Sequence, residues 1–445
     1  MRRQDKLNKN KVLWSAIGVF LILGILYIWS MISKGLINEL GWTSTEASLP
    51  YTLFTVFSSI GFFIAGRIQD KIGPRWCVIG CSILMGIGLV LCGLMTTPLL
   101  VMIGFGIVCG FGVGSGNVAS LTPSLKWWPS SKKGMVSGAV SAGIGFSAVI
   151  YAPVSNILLS SVGVSNSFLI FGAVSFVVIF LLSFNMYDPP DFYDKELGRV
   201  VLNNKSAEAE AVEKIISPDN ALAEGESSAA STIPQEQEFT TKEMLKTSSF
   251  YIMFVIFAIS TASGLMIIAH AAKIAQIQVG WEGGFLLVIV LNLFNTLGRL
   301  VGGTISDKLG RINTLRLIIA VQCVNMFLFS TYNNVPLMVI GILIQGFCYG
   351  TIFANMPPLH TDIYGYKNFG SNYGTLFLAW GLGGIIGPMT AARVYDAAVA
   401  TLPATAMSGA YNDAYMIACG LSVISFILIF VLSRQMPSKK VHKNN

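Results

Sequence analysis

GRIQDKIGPR (66–75) and GTISDKLGR (303–311) are two copies of one pattern in a single chain. Gly66, Asp70 and Lys71 match Gly303, Asp307 and Lys308 at one constant offset, and each copy directly follows a long apolar run. Gly134 and Gly138 echo Gly370 and Gly374 at almost the same offset. A loop and a helix that both recur over half the chain length point to two copies of one unit, the parallel internal repeat that suits alternating access across a membrane.

Working outward from those loops, apolar runs of about 20 residues, the length that crosses a bilayer, recur twelve times. They fall at 12–33, 47–65, 77–96, 99–125, 134–160, 166–186, 249–275, 283–302, 314–331, 335–359, 370–395 and 414–433. Barrel strands would be about half as long and alternate in polarity, so the runs predict helices. Composition agrees. The 445 residues are 53% hydrophobic and 11% charged, against about 25% charged in a soluble globule. The 45 glycines fit close helix packing in lipid. The seven cysteines all lie in apolar runs without zinc spacing, so they are expected as small core residues.

The net charge of +7 raises the question of nucleic acid, but its placement answers it. With the N-terminus inside, all 29 basic residues except Lys34, Lys273, Arg299 and Arg393 fall in inside loops and tails, the bias that fixes topology. Both termini are therefore expected in the cytoplasm, the protein in the inner (plasma) membrane, and no nucleic-acid partner. The basic start MRRQDKLNKNK (1–11) leads into an apolar segment too long for a signal-peptide core. Residues 187–248 hold more than half of the 22 acidic residues and few large apolar ones. They read as a flexible linker with room for a short surface helix, between six-helix units at 1–186 and 249–445.

The repeated Gly-x-x-x-Asp-Lys-x-Gly loop resembles the signature of the major facilitator superfamily. YIWSMISKGL (27–36), TPSLKWWPSSKKGMVSG (122–138), SGLMIIAHAAKIA (263–275) and FGSNYGTLFLAWGLGGIIGP (369–388) are similar to the oxalate/formate antiporter family, itself related to monocarboxylate carriers. The resemblance implies an all-α membrane protein of twelve transmembrane helices in two pseudo-symmetric six-helix bundles. It also implies that Asp70 and Asp307 gate or brace the cytoplasmic face rather than touch substrate.

Arg299 carries most of the functional argument. It sits in GGFLLVIVLNLFNTLGRLVG (283–302), and no spanning run contains an interior Asp or Glu to neutralise it. A guanidinium at bilayer depth costs about 2.5–3.5 kcal/mol on insertion scales and cannot deprotonate. Either it snorkels to the nearby interface, or it awaits a foreign anion, whose carboxylate its planar fork would hold by two oxygens. Asn295, one turn outward, shares its face. The related carriers have an acid there. An amide can hydrogen-bond but not carry a proton.

Other candidates have two readings each. Tyr27, Ser30 and Lys34 follow helical spacing, with Lys34 an interface anchor or an outer gate. His270 and Lys273, at i and i+3, are a packing histidine with an interface lysine, or a titrating group with a second cation. Tyr349 with Phe353, and Tyr373 with Phe377 and Trp380, form aromatic stripes that either pack or line a cavity. Asn117, in the Gly-rich run GFGVGSGNVASLTP (110–123), is a polar contact. Oxalate-exchanging relatives carry a lysine in the eleventh span, and the core of this one has none. The expected protein is a monomeric secondary transporter of small monocarboxylates such as lactate, pyruvate or formate, coupled to protons or to an outgoing anion, with no cofactor, metal or enzymatic activity. An oxalate/formate-type dicarboxylate antiporter is the alternative within the family, and a non-transporting sensor or scaffold the alternative outside it.

Overall fold

In hydrocarbon, every backbone N–H and C=O must find its partner within the protein, which helices achieve locally. The computed structural model describes residues 8–190, 193–194, 199–200 and 238–435, apart from Thr43, Thr96, Glu282, Gly283 and Leu402. Span one is Lys9–Leu23 and Trp29–Leu40, joined by a 3-10 turn over Gly24–Ile28. Spans two and three are Ser44–Ile72 and Pro74–Leu94. Span four runs from Pro98–Val101 through a π-helical stretch, Met102–Cys109, into Gly110–Lys126. Spans five and six form one helical stretch, Lys133–Ser183, divided at Gly163 (φ 76, ψ 177). The second half follows as Ser248–Val279, Gly284–Leu309, Arg311–Leu328, Val335–Tyr364, Phe369–Thr401 and Asn412–Gln435. By length and composition, 10 described helices can cross a membrane. One of these is the divided stretch that holds spans five and six, and Gly284–Leu309, with Arg299, adds span eight.

The two halves pack alike. Spans two and four, three and six, and one and five are partners in the first half, as are eight and ten, nine and twelve, and seven and eleven in the second. Across the middle, span two lies against eleven and span five against eight. The repeated glycines meet there crosswise. A Cβ on Gly66 would clash with the carbonyl of Gly370, one on Gly134 with that of Gly303, and one on Gly138 with that of Arg299. The two half-repeats seen in sequence are thus the two sides of pseudo-equivalent contacts.

Asp70 and Asp307 close the same face. Asp70 accepts from the Gly370 and Ser371 amides (3.2 and 2.7 Å), at the start of span eleven. Asp307 accepts from the Gly134 and Met135 amides (2.8 and 2.7 Å), at the start of span five. Each carboxylate satisfies orphan N–H groups and faces the positive end of a helix dipole. Arg311 holds Asp307 and Asp362, and Lys133 of the other half reaches Asp362 at 3.1 Å. Asp307→Ala is expected to weaken this closure by about 0.5–2 kcal/mol, the usual worth of a cap. Faster hydrogen exchange at the span-five amides, with uptake reduced but present, is the expected measurement.

Most of the linker expected over 187–248 lies outside the described residues. Two short strands, Tyr193–Asp194 and Arg199–Val200, pair antiparallel. Before span seven, Thr241–Met244 forms one helical turn with a Thr240–Glu243 capping box. Glu238 accepts from the Tyr366 and Lys367 amides (3.3 and 2.7 Å), which ties the segment to the turn between spans ten and eleven.

Candidate functional site

A cavity with about 690 Å³ of empty space, counting the part open to solvent, lies between the halves. Span one enters it through its 3-10 turn, because Gly24 leaves room for Ser147 of span five, whose hydroxyl meets the Gly24 carbonyl at 3.3 Å. Tyr27 lines the cavity. Ser30 and Lys34 follow in the second helix of span one, Trp29–Leu40, and their side chains lie outside the described residues, as does the face expected for Tyr27, Ser30 and Lys34.

Arg299 is 3% exposed, so it does not snorkel. Its Nε donates to Asn295 Oδ1 (3.1 Å) and its Nη1 to the Ser141 carbonyl of span five (3.0 Å). Its guanidinium carbon stands 4.9 Å from the Phe353 ring centroid. These neutral, electron-rich partners solvate the cation without cancelling its charge. Two of its five N–H groups are engaged in these bonds. No carboxylate pairs with Arg299 among the described residues, and none of the cavity-lining residues is Asp, Glu or His. The pocket therefore combines one fixed positive charge with an aromatic wall.

That wall contains Tyr349, Phe353, Tyr373, Phe377 and Trp380, so both aromatic stripes face the cavity. Trp380 Nε1 donates to Tyr349 Oη at 2.9 Å and locks spans ten and eleven together. Phe377 stacks on Phe62 of span two, with centroids 4.1 Å apart and planes at 15°. Asn117 also lines the cavity. Asn295 does so only through Arg299: its Oδ1 is engaged, while its Nδ2 is buried without a hydrogen-bond partner.

His270 and Lys273 are not among the lining residues. His270 Nε2 donates to the Pro388 carbonyl (3.2 Å), which leaves Nδ1 to accept from Tyr411 Oη (3.3 Å). Lys273 Nζ sits 3.6 Å from the Tyr395 ring centroid. Both are held in packing contacts with spans eleven and twelve, away from Arg299. Asp70 and Asp307 are likewise outside the cavity, at the closed face.

Several lining residues escaped the sequence reading, among them Phe20, Phe54, Ser58, Phe62, Ser137 and Ser141. The internal repeat held the signal for some of them. The offset that carries Gly66 to Gly303 carries Phe62 to Arg299 and Ser58 to Asn295. The offset that carries Gly134 to Gly370 carries Ser137, Ser141 and Ile144 to Tyr373, Phe377 and Trp380. Equivalent helices turn equivalent faces inward, so each site residue names its counterpart.

The architecture and this one-cation cavity define a membrane transporter of two repeated bundles. The Major Facilitator Superfamily profile matches residues 13–388 and 248–445, and the chain belongs to that superfamily. Its relatives include an uncharacterized transporter of this type from Escherichia coli (strain K12), 25% identical over 82% of each chain. The oxalate:formate antiporter of Oxalobacter formigenes is 25% identical over 95% of this chain and 91% of its own. The fucose:proton symporter FucP of E. coli, crystallised in the outward conformation, shares the fold with a TM-score of 0.67 and 12% identity, over 94% of this chain and 98% of its own.

Proposed function

We propose that the protein exchanges small monocarboxylates across the membrane by alternating access, with Arg299 as the carboxylate seat. The observation that carries this reading is the burial of Arg299 in the central cavity without a counter-ion among the described residues. A monoanion completes its charge, and the loaded pocket is then neutral and can cross between states. The antiporter of O. formigenes handles oxalate and formate by its name, which supports the carboxylate class. Arg299 is the one cation among the described lining residues, which favours the monoanion over the dianion, since Lys273, the candidate second charge, lies over Tyr395. Exchange is favoured over proton symport because, among the described residues, the cavity wall offers no carboxylate or imidazole to carry a proton, and an outgoing anion offsets the membrane potential without one.

Counterflow in liposomes tests the reading. Protein preloaded with unlabelled lactate should accumulate labelled lactate, pyruvate or formate, and an imposed pH gradient alone should drive little uptake. If no carboxylate is exchanged, a sensor or scaffold on the same fold is the better account. Uptake driven by a pH gradient alone would make the coupling protonic. Trp380→Lys puts a cation within the aromatic wall and should raise competition by oxalate relative to lactate. An unchanged ratio would show that span eleven does not set substrate valence.

A further inference from the structure

We infer that the Ser137 hydroxyl is the second recognition point of the cavity and selects acids with an oxygen on the carbon next to the carboxylate. This rests on the reading of Arg299 as the carboxylate seat. Ser137 is 0% exposed, lines the cavity, and its Oγ has no hydrogen-bond partner in the protein. Among the described lining residues, it contributes the only fully buried hydroxyl left unpartnered. Serine in a helix usually satisfies its hydroxyl on a carbonyl three or four residues back. Ser141, one turn on, does so, donating to the Gly138 carbonyl at 3.3 Å. Ser137 does not, and a buried hydroxyl without a partner carries a desolvation cost that a ligand oxygen removes.

The placement suits that role. Ser141 supplies the carbonyl that holds Arg299 Nη1, and Ser137 lies on the same face of span five, one turn of about 5.4 Å toward the closed end. A carboxylate on the free N–H groups of Arg299 would leave its neighbouring carbon between the guanidinium and Ser137. A 2-hydroxyl there accepts from or donates to the serine, and a 2-oxo oxygen accepts from it. A plain methylene offers nothing, and the hydroxyl stays unpaired, which is how polar sites reject analogues that lack the matching group.

The test compares lactate with propionate, which differs only by the missing hydroxyl, as competitors of counterflow in liposomes. Wild-type protein should prefer lactate by roughly threefold to tenfold, the usual worth of one neutral hydrogen bond. Ser137→Ala should bring the ratio near one by weakening lactate and leaving propionate unchanged. Ser137→Thr, which keeps the hydroxyl, should restore part of the preference. Equal competition by both acids in the wild type would overturn the inference and leave the monocarboxylate reading standing. So would an equal loss of both in Ser137→Ala, which would place the hydroxyl on the carboxylate itself or make it structural. If neither acid competes, both proposals fall together.

Discussion

Arg299→Ala is expected to abolish carboxylate exchange while the protein still inserts and folds. Removing one partner of a buried, hydrogen-bonded charge pair costs about 2–5 kcal/mol or more, roughly thirtyfold to several thousandfold in affinity. The fold should tolerate the change, because the guanidinium is held by neutral groups, the Asn295 amide and the Ser141 carbonyl, and leaves no orphaned carboxylate behind. Arg299→Lys should fare almost as badly. Lysine keeps the charge but loses the planar fork that meets two carboxylate oxygens. Retained exchange in Arg299→Ala, at normal protein levels, would move the binding site elsewhere.

Gly138→Leu is expected to stop transport by a different route. The hydrogen of Gly138 faces the Arg299 carbonyl across the contact between spans five and eight, and any Cβ there would collide with it. Backbone cannot retreat as a flexible side chain can, so the face closed by Asp70 and Asp307 should be forced open. Leucine favours helix over glycine by up to about 1 kcal/mol, so span five itself should form readily. The expected result is lost exchange together with faster hydrogen exchange at the amides of Gly134 and Met135, which Asp307 now caps. Normal exchange protection would show that the contact absorbs the bulk, and that closure does not depend on the crosswise glycines.

Much of this was legible in the sequence, for physical reasons that differ by residue. Twelve helices could be read because apolar runs must match bilayer thickness. Arg299 stood out because an unpaired charge in such a run has few explanations, but whether it snorkelled or was buried was decided only by the packing of the two halves around it. The aromatic stripes of Tyr349 with Phe353, and of Tyr373 with Phe377 and Trp380, were visible as helical spacing, but which way they faced was not, since packing and cavity-lining stripes look alike. The carbonyl of Ser141 left no trace, because backbone acceptors are the same at every position. The 3-10 turn at Gly24–Ile28 was missed because it depends on Ser147, more than a hundred residues away. Ser137 was hidden in a run of small residues until the repeat related it to Tyr373. The meeting of Gly66 with Gly370, and of Gly134 with Gly303, was written in the repeat as similarity, while their crosswise contact is a property of the assembled halves.

The central claim is that one buried guanidinium completes its charge with a substrate carboxylate. Counterflow of labelled lactate into liposomes holding wild-type or Arg299→Ala protein, at matched protein content, tests it most directly. The account predicts accumulation in the wild type and a background signal in the variant. Equal accumulation in both would contradict it.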